Sequence, residues 1–176
     1  MEPIVIKLSK KKIILWLTLS IGFVALGFWL LSLDKGVLSL PKGTVTLIAI
    51  LDIVLFSFGV VFNFKKLLDN KPGMIITEEG ITDNSSAISM GFVPWEDIIG
   101  LSVNVVNNQK YLTVRLRDMD ARIEQAKGLR KYFMEVNNNN FGSGFQVSTT
   151  ILDYNFDDLY NIIVQQLKLR GVEIHN

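Results

Sequence analysis

From Ile13 to Leu33 the chain runs for about twenty residues without a charged side chain. At ~1.5 Å per residue, a helix of that length covers the ~30 Å hydrocarbon core of a bilayer. Lys7, Lys10, Lys11 and Lys12 precede the run, as they would precede a secretory signal. The run is longer than a signal core, however, and no small-x-small cleavage site follows Leu33. A retained membrane helix is therefore expected over 13–33. A second apolar run, about 44–64, is broken only by Asp52. The link between them holds Gly36 and Pro41 and is too short for a domain, so the two helices are expected to form an antiparallel hairpin within an N-terminal segment 1–70.

Charge orients such a hairpin, because Lys and Arg remain on the cytoplasmic side. Lys7, Lys10, Lys11 and Lys12 precede the first run and Lys65, Lys66 and Lys71 follow the second, whereas the link carries only Lys35 and Lys42. Both termini, and everything after the hairpin, are expected to be cytoplasmic. Trp16 and Trp29 stand thirteen positions apart, roughly 20 Å along a helix. That spacing suits one indole at each interface.

Asp52 is costly in this setting, on the order of 3 kcal/mol at mid-bilayer. Its helical face reads Ala49, Asp52, Phe56, Gly59 and Asn63. A small-residue stripe, Thr18, Gly22, Ala25, Trp29 and Ser32, is its expected counterpart on the first helix, with Asp52 near Gly22 and Ala25. Asp52 reads either as a protonated carboxyl in a helix–helix or subunit interface or as part of an ion or proton relay. No second ionisable group lies at similar depth, which favours the first.

After about Pro72 the sequence resembles an ordinary soluble domain, 71–176. The first seventy residues hold eight lysines against four acids, net +4; the remainder holds ten basic against thirteen acidic residues, net −3. A mildly acidic domain does not suit nucleic acid, which requires a basic face. With no cysteine and one histidine, His175, disulfides, thiolate chemistry, cysteine-based metal sites and multi-histidine sites are excluded. No phosphate-binding glycine loop or nucleophile elbow occurs. No cofactor or enzymatic activity is expected.

The domain reads as short strands: Met74–Thr77, one starting at Ile81, then Ile88–Val93, Ile98–Val106, Lys110–Arg117 and Phe145–Leu152. Turns are expected at Glu78-Glu79-Gly80 and Asp83-Asn84-Ser85-Ser86, and a hairpin loop at Asn107-Asn108-Gln109. Pro94-Trp95-Glu96-Asp97 should interrupt pairing. In Lys110–Arg117, Leu112, Val114 and Leu116 are expected inward, with Tyr111, Thr113, Arg115 and Arg117 outward. Ile123, Ala126, Leu129, Phe133 and Val136 recur at helical spacing, with Gly128 bending or splitting the stretch. Asn137–Asn140 with Gly142 and Gly144 forms a polar loop. Asn155 is an expected N-cap for a last helix whose apolar face is Leu159, Ile162, Ile163 and Leu167. The expected fold class is a membrane α-hairpin plus an α+β domain, a pleckstrin-homology-like (PH-like) antiparallel β-barrel or sandwich closed by a C-terminal helix.

Glu79-Gly80-Ile81-Thr82-Asp83-Asn84-Ser85-Ser86, Pro94-Trp95-Glu96-Asp97-Ile98, Gly128-Leu129-Arg130-Lys131 and Phe156-Asp157-Asp158-Leu159 give the chain a resemblance to small bacterial membrane proteins. In that family two transmembrane helices precede a bacterial PH-like domain. The resemblance spans essentially the whole chain. It implies a multi-pass protein of the bacterial inner (cytoplasmic) membrane and supplies a fold but no activity. The expected role is a membrane-anchored interaction module whose partners are the bilayer and another protein or a second copy. The alternatives are a lipid-responsive accessory protein or a subunit of a membrane transport complex. Candidate site residues are Asp52, the basic strand residues Lys110, Arg115 and Arg117, and Trp95 at its turn. The acids of the Glu78-Glu79-Gly80 turn would repel a phosphate, so Lys110, Arg115 and Arg117 read first as a solvated strand face. Trp95 reads first as a packing anchor.

Overall fold

A computed structural model describes residues 2–33, 36–37, 40–86, 89–106, 109–141, 144–172 and 174–175. The chain divides into two compact units, Lys10–Asn70 and Met1–Ser9 with Lys71–Asn176.

The first unit is the hairpin of α1 (Lys10–Ser32) and α2 (Lys42–Leu68), both long and apolar enough to cross a bilayer. Pro41 is the N-cap of α2: its φ of −62° suits a helix entry while ψ of 151° is still extended, and its carbonyl accepts the amides of Thr44 and Val45. The Lys10 ammonium donates to the carbonyls of Lys66, Leu67 and Asp69 at 3.3, 2.7 and 2.6 Å, capping the negative end of α2.

Burial along α2 follows Val45, Ala49, Asp52, Phe56, Gly59, Asn63 and Lys66, and along α1 Ile13, Leu17, Ser20, Val24 and Gly27. Both series alternate steps of three and four, the spacing of an antiparallel coiled-coil seam. Phe23 stacks on Phe56 with centroids 4.3 Å apart. A Cβ on Gly27 would lie 2.6 Å from Ile53 and 3.2 Å from the Ala49 carbonyl. The close approach of the helices requires glycine there. The α2 face anticipated from the sequence is therefore the seam face. The α1 stripe is not: Thr18, Gly22, Ala25, Trp29 and Ser32 are all exposed, and Ser20 and Gly27 take the seam.

The second unit contains two four-stranded sheets. The first runs β1 (Ile4–Ile6), β2 (Met74–Ile76), β3 (Gly80–Asp83), β4 (Gly91–Pro94), antiparallel throughout. The second has the order β7 (Gly144–Val147), β6 (Gln109–Leu116), β5 (Ile98–Val106), β8 (Ile174–His175), with β5 and β8 parallel. A 3-10 turn, Trp95–Asp97, separates β4 from β5, where Pro94 was expected to stop pairing. Both sheets are open, so the architecture is an antiparallel-sheet domain with a C-terminal helix, α5 (Phe156–Lys168). Leu159, Ile163 and Leu167 of α5 are fully buried, and Asn155 caps it by accepting the Asp157 amide.

Four features depart from the sequence reading. Residues 4–6, grouped there with the hairpin, pair with β2; Ile6 is 2% exposed and Leu8 bridges to Leu152. Thr113 is buried, not outward: β6 is central in its sheet, and the Thr113 hydroxyl is engaged by Asn104 at 2.7 Å. β7 ends at Val147, where Ser148 and Thr150 bond each other and form a turn, so the expected strand to Leu152 is cut short. α4 (Gly128–Phe141) runs on through Asn137–Asn140, where a polar loop was expected, while its separation from α3 (Met119–Gln125) falls at Gly128 as anticipated, a φ of +59° permitting the break. Leu129, Phe133 and Val136 of α4 are exposed, and Met134 is buried in their place. Asn107, Asn108, Ile88 and Gly142 lie outside the described residues.

Candidate functional site

A groove of about 670 Å³ opens beside the 3-10 turn, lined by Glu78, Glu79, Phe92, Pro94, Trp95, Glu96, Ile98, Arg117, Arg170 and Val172. Local sequence builds each wall. Thr77 organises the Glu78–Glu79 turn by accepting the Glu79 and Gly80 amides on its hydroxyl. Gly80 is needed because a Cβ there would lie 2.2 Å from the Val93 carbonyl oxygen on the neighbouring strand β4. Pro94 then directs Trp95 inward, where the indole Nε1 donates to the Thr77 carbonyl at 2.9 Å and the residue is 3% exposed.

Arg170 closes the far wall. Gly171, at φ +69°, reverses the chain after α5, and the Val172 amide returns to the Leu167 carbonyl. The Arg170 guanidinium donates to the Gln166 carbonyl and Oε1 at 2.8 and 2.9 Å and to the Glu78 carbonyl at 2.8 Å. It lies 5.1 Å from the centre of the Trp95 ring, a cation–π distance. The groove thus combines a rigid aromatic floor, a fixed cation, the half-exposed Phe92 and a rim with carboxylates and Arg117. Such a lining suits a chain of mixed charge with an apolar anchor better than a phosphate group.

The other candidates do not join it as one site. Lys110 pairs with Asp157 at 2.9 Å and sits 5.5 Å over Phe156, at the opposite end of β6 from Arg117. Arg115 lies across Gly100, its Nε buried without a hydrogen-bond partner among the described residues. Of the three basic residues only Arg117 reaches the groove, and Trp95 reaches it from below. Arg170, Phe92 and Ile98 were not singled out from the sequence as site residues; the Arg170–Trp95 pairing spans 75 positions and leaves no local signal.

In the hairpin, Asp52 meets Gly27, not Gly22 or Ala25: a Cβ on Gly27 would lie 2.7 Å from Asp52 Oδ2. That oxygen is buried and accepts no hydrogen bond from the described residues. The other polar seam residues satisfy themselves on their own helices, Ser20 on the Trp16 carbonyl and Asn63 on the Gly59 carbonyl, each at 2.8 Å. Among the described residues no group of His, Cys, Asp or Glu could hold a metal ion. No family model, no curated protein and no solved structure matches this chain.

Proposed function

We propose that the chain is a membrane-anchored interaction module: a hairpin spanning the bacterial inner membrane twice, carrying a PH-like domain that holds a protein segment in the Trp95–Arg170 groove. That groove carries the reading, because its buried indole, fixed guanidinium and acidic rim offer an anchor and both signs of charge within one cleft. The PH-like description is supported by the run of short antiparallel strands followed by the amphipathic α5. Membrane insertion is supported by the exposure of the apolar surface of both helices, since Leu51, Leu55 and Phe58 are each about three-fifths exposed or more. Chain order adds a topological argument. β1 precedes α1 and β2 follows α2, yet the two strands pair. A hairpin whose two ends emerge on one side of the bilayer accommodates that pairing, and the lysine bias supports the cytoplasm as that side.

Two experiments test this. In intact cells, Leu40→Cys between the helices should react with an impermeant thiol reagent and Glu124→Cys on α3 should not; the reverse pattern refutes the orientation. A photo-crosslinking residue at Phe92 should yield a discrete protein adduct in native membranes that one at Glu124 does not, and Arg170→Glu should weaken it. No adduct from Phe92, or the same adducts from both positions, refutes the groove as the binding surface.

A further inference from the structure

Between α3, α4 and the segment leading into β4 lies a second cavity, of about 230 Å³, lined by Met90, Arg122, Gln125, Ala126, Arg130 and Met134. Its lining shares no residue with the Trp95–Arg170 groove. Gly128 brings its two cations together. At φ +59° it turns the chain between α3 and α4, so that Arg122 on the first helix and Arg130 on the second reach one cavity. Each guanidinium is anchored. Arg122 donates to Asp97 Oδ2 at 2.8 Å and reaches the Phe92 carbonyl at 3.5 Å, and Arg130 donates to the Ser89 carbonyl at 2.8 Å. Ser89 is itself fixed, its hydroxyl donating to the Asp83 carbonyl. These bonds engage a minority of the five N–H donors that a guanidinium carries. Met90 and Met134, both buried, supply an apolar floor.

We propose that this cavity binds a phosphate group. Charge selects an anion. None of the described lining residues is acidic, whereas Glu78, Glu79 and Glu96 line the Trp95–Arg170 groove. Asp97, which stands outside the lining, offsets Arg122 alone. The pairing of cations selects the shape of that anion. One guanidinium satisfies a carboxylate through a single bidentate pair, so two on the same cavity suit a tetrahedral oxyanion with three or four acceptor oxygens. The Gln125 carboxamide adds a neutral donor. Size narrows the class further. The cavity is smaller than the ~300–1,000 Å³ of sites that enclose drug-sized molecules. It suits the phosphate of a small ester or of a lipid headgroup, with the rest of the molecule outside. The buried methionines keep water from one side, which strengthens each charge-assisted bond.

The test is equilibrium dialysis of the whole chain, in non-ionic detergent, against radiolabelled inorganic phosphate at fixed ionic strength. Saturable binding is expected. Arg130→Gln removes an exposed cation and should weaken binding at least about ten-fold, the effect of losing a charge-assisted bond. Ala126→Leu keeps every charge but fills the cavity, and should weaken binding as much. Lys110→Gln, outside the cavity, should change it less than about two-fold. Far-ultraviolet circular dichroism confirms that each variant is folded. Displacement by glycerol 3-phosphate assigns the group to a soluble ester, and displacement by dihexanoyl phosphatidic acid alone assigns it to a lipid headgroup; either supports the site. Absence of saturable binding overturns the proposal. Unchanged affinity in folded Arg130→Gln, or in folded Ala126→Leu, overturns the cavity as the place of binding. A loss in Lys110→Gln as large as in Arg130→Gln overturns it in favour of general charge attraction. Acetate displacing as well as glycerol 3-phosphate overturns the phosphate assignment in favour of a carboxylate.

Discussion

Replacing Ile6 by alanine isolates the contribution of the strand that precedes the α1–α2 hairpin. Ile6 is 2% exposed, its carbonyl accepts the Gly73 amide at 2.9 Å, and it pairs in register with Met74. Truncating a buried isoleucine removes its transfer free energy and leaves a cavity, together about 2–4 kcal/mol. Its neighbour Val5, on the other face of the same strand, is 52% exposed, so Val5→Ala should stay within about 0.5 kcal/mol. For a unit of about 115 residues, 1 kcal/mol shifts the melting temperature by ~4 °C. Ile6→Ala should therefore lower it by about 8–16 °C and Val5→Ala by no more than about 2 °C. With Trp16 and Trp29 changed to Phe, Trp95 is the one tryptophan left in the chain. Its emission then reports unfolding of this unit in the full-length protein in detergent. Equal, small shifts for the two variants would refute the placement of β1 in the sheet and the topological argument built on it.

Four further outcomes follow. Asn155→Ala removes the cap that accepts the Asp157 amide and should cost about 1 kcal/mol, measurable as a melting shift of roughly 4 °C. Trp95→Phe loses the bond to the Thr77 carbonyl and the better cation–π surface for Arg170, and should destabilise by about 1–2 kcal/mol, read from far-ultraviolet circular dichroism melts because the tryptophan reporter is gone. Lys110→Ala should change stability by less than about 1 kcal/mol, because its pair with Asp157 is solvent-exposed. Asp52→Asn should leave hairpin assembly and cellular abundance unchanged, since bonds between membrane helices average only about 0.6 kcal/mol, whereas Asp52→Leu places bulk against Gly27 and should lower abundance on immunoblots. Loss of function in Asp52→Asn at normal abundance would instead favour a titrating role for the carboxyl.

What was legible in the sequence is what local contrast records. The seam face of α2 could be read because Asp52 and Asn63 stand out from an apolar background and had to face something. On α1 the background gives no such contrast: Thr18, Gly22 and Ala25 make as good a small stripe as Ser20 and Gly27, and only the partner helix distinguishes them. The last helix was readable from its cap and apolar spacing together. For α4 the spacing was read correctly but the side was not, because periodicity locates a face without saying what covers it. β1 is three apolar residues whose pairing partner lies seventy positions on, and the Arg170–Trp95 contact is just as distant. No window of local sequence holds either pair.

The pairing of β1 with β2 sets an order of events during synthesis. Ile4 emerges from the ribosome 72 residues before its partner Ile76, an interval of roughly 4–14 s at ordinary elongation rates. Throughout that time β1 has no sheet to join, and on the proposed membrane placement both helices insert within the same interval. Were one helix to remain outside the bilayer, the two strands would end on opposite sides and Ile6 could not be covered. With the hairpin in the membrane, closure of the first sheet therefore depends on the second helix having inserted, and a chain with faulty topology exposes an unpaired strand edge for proteolysis to recognise.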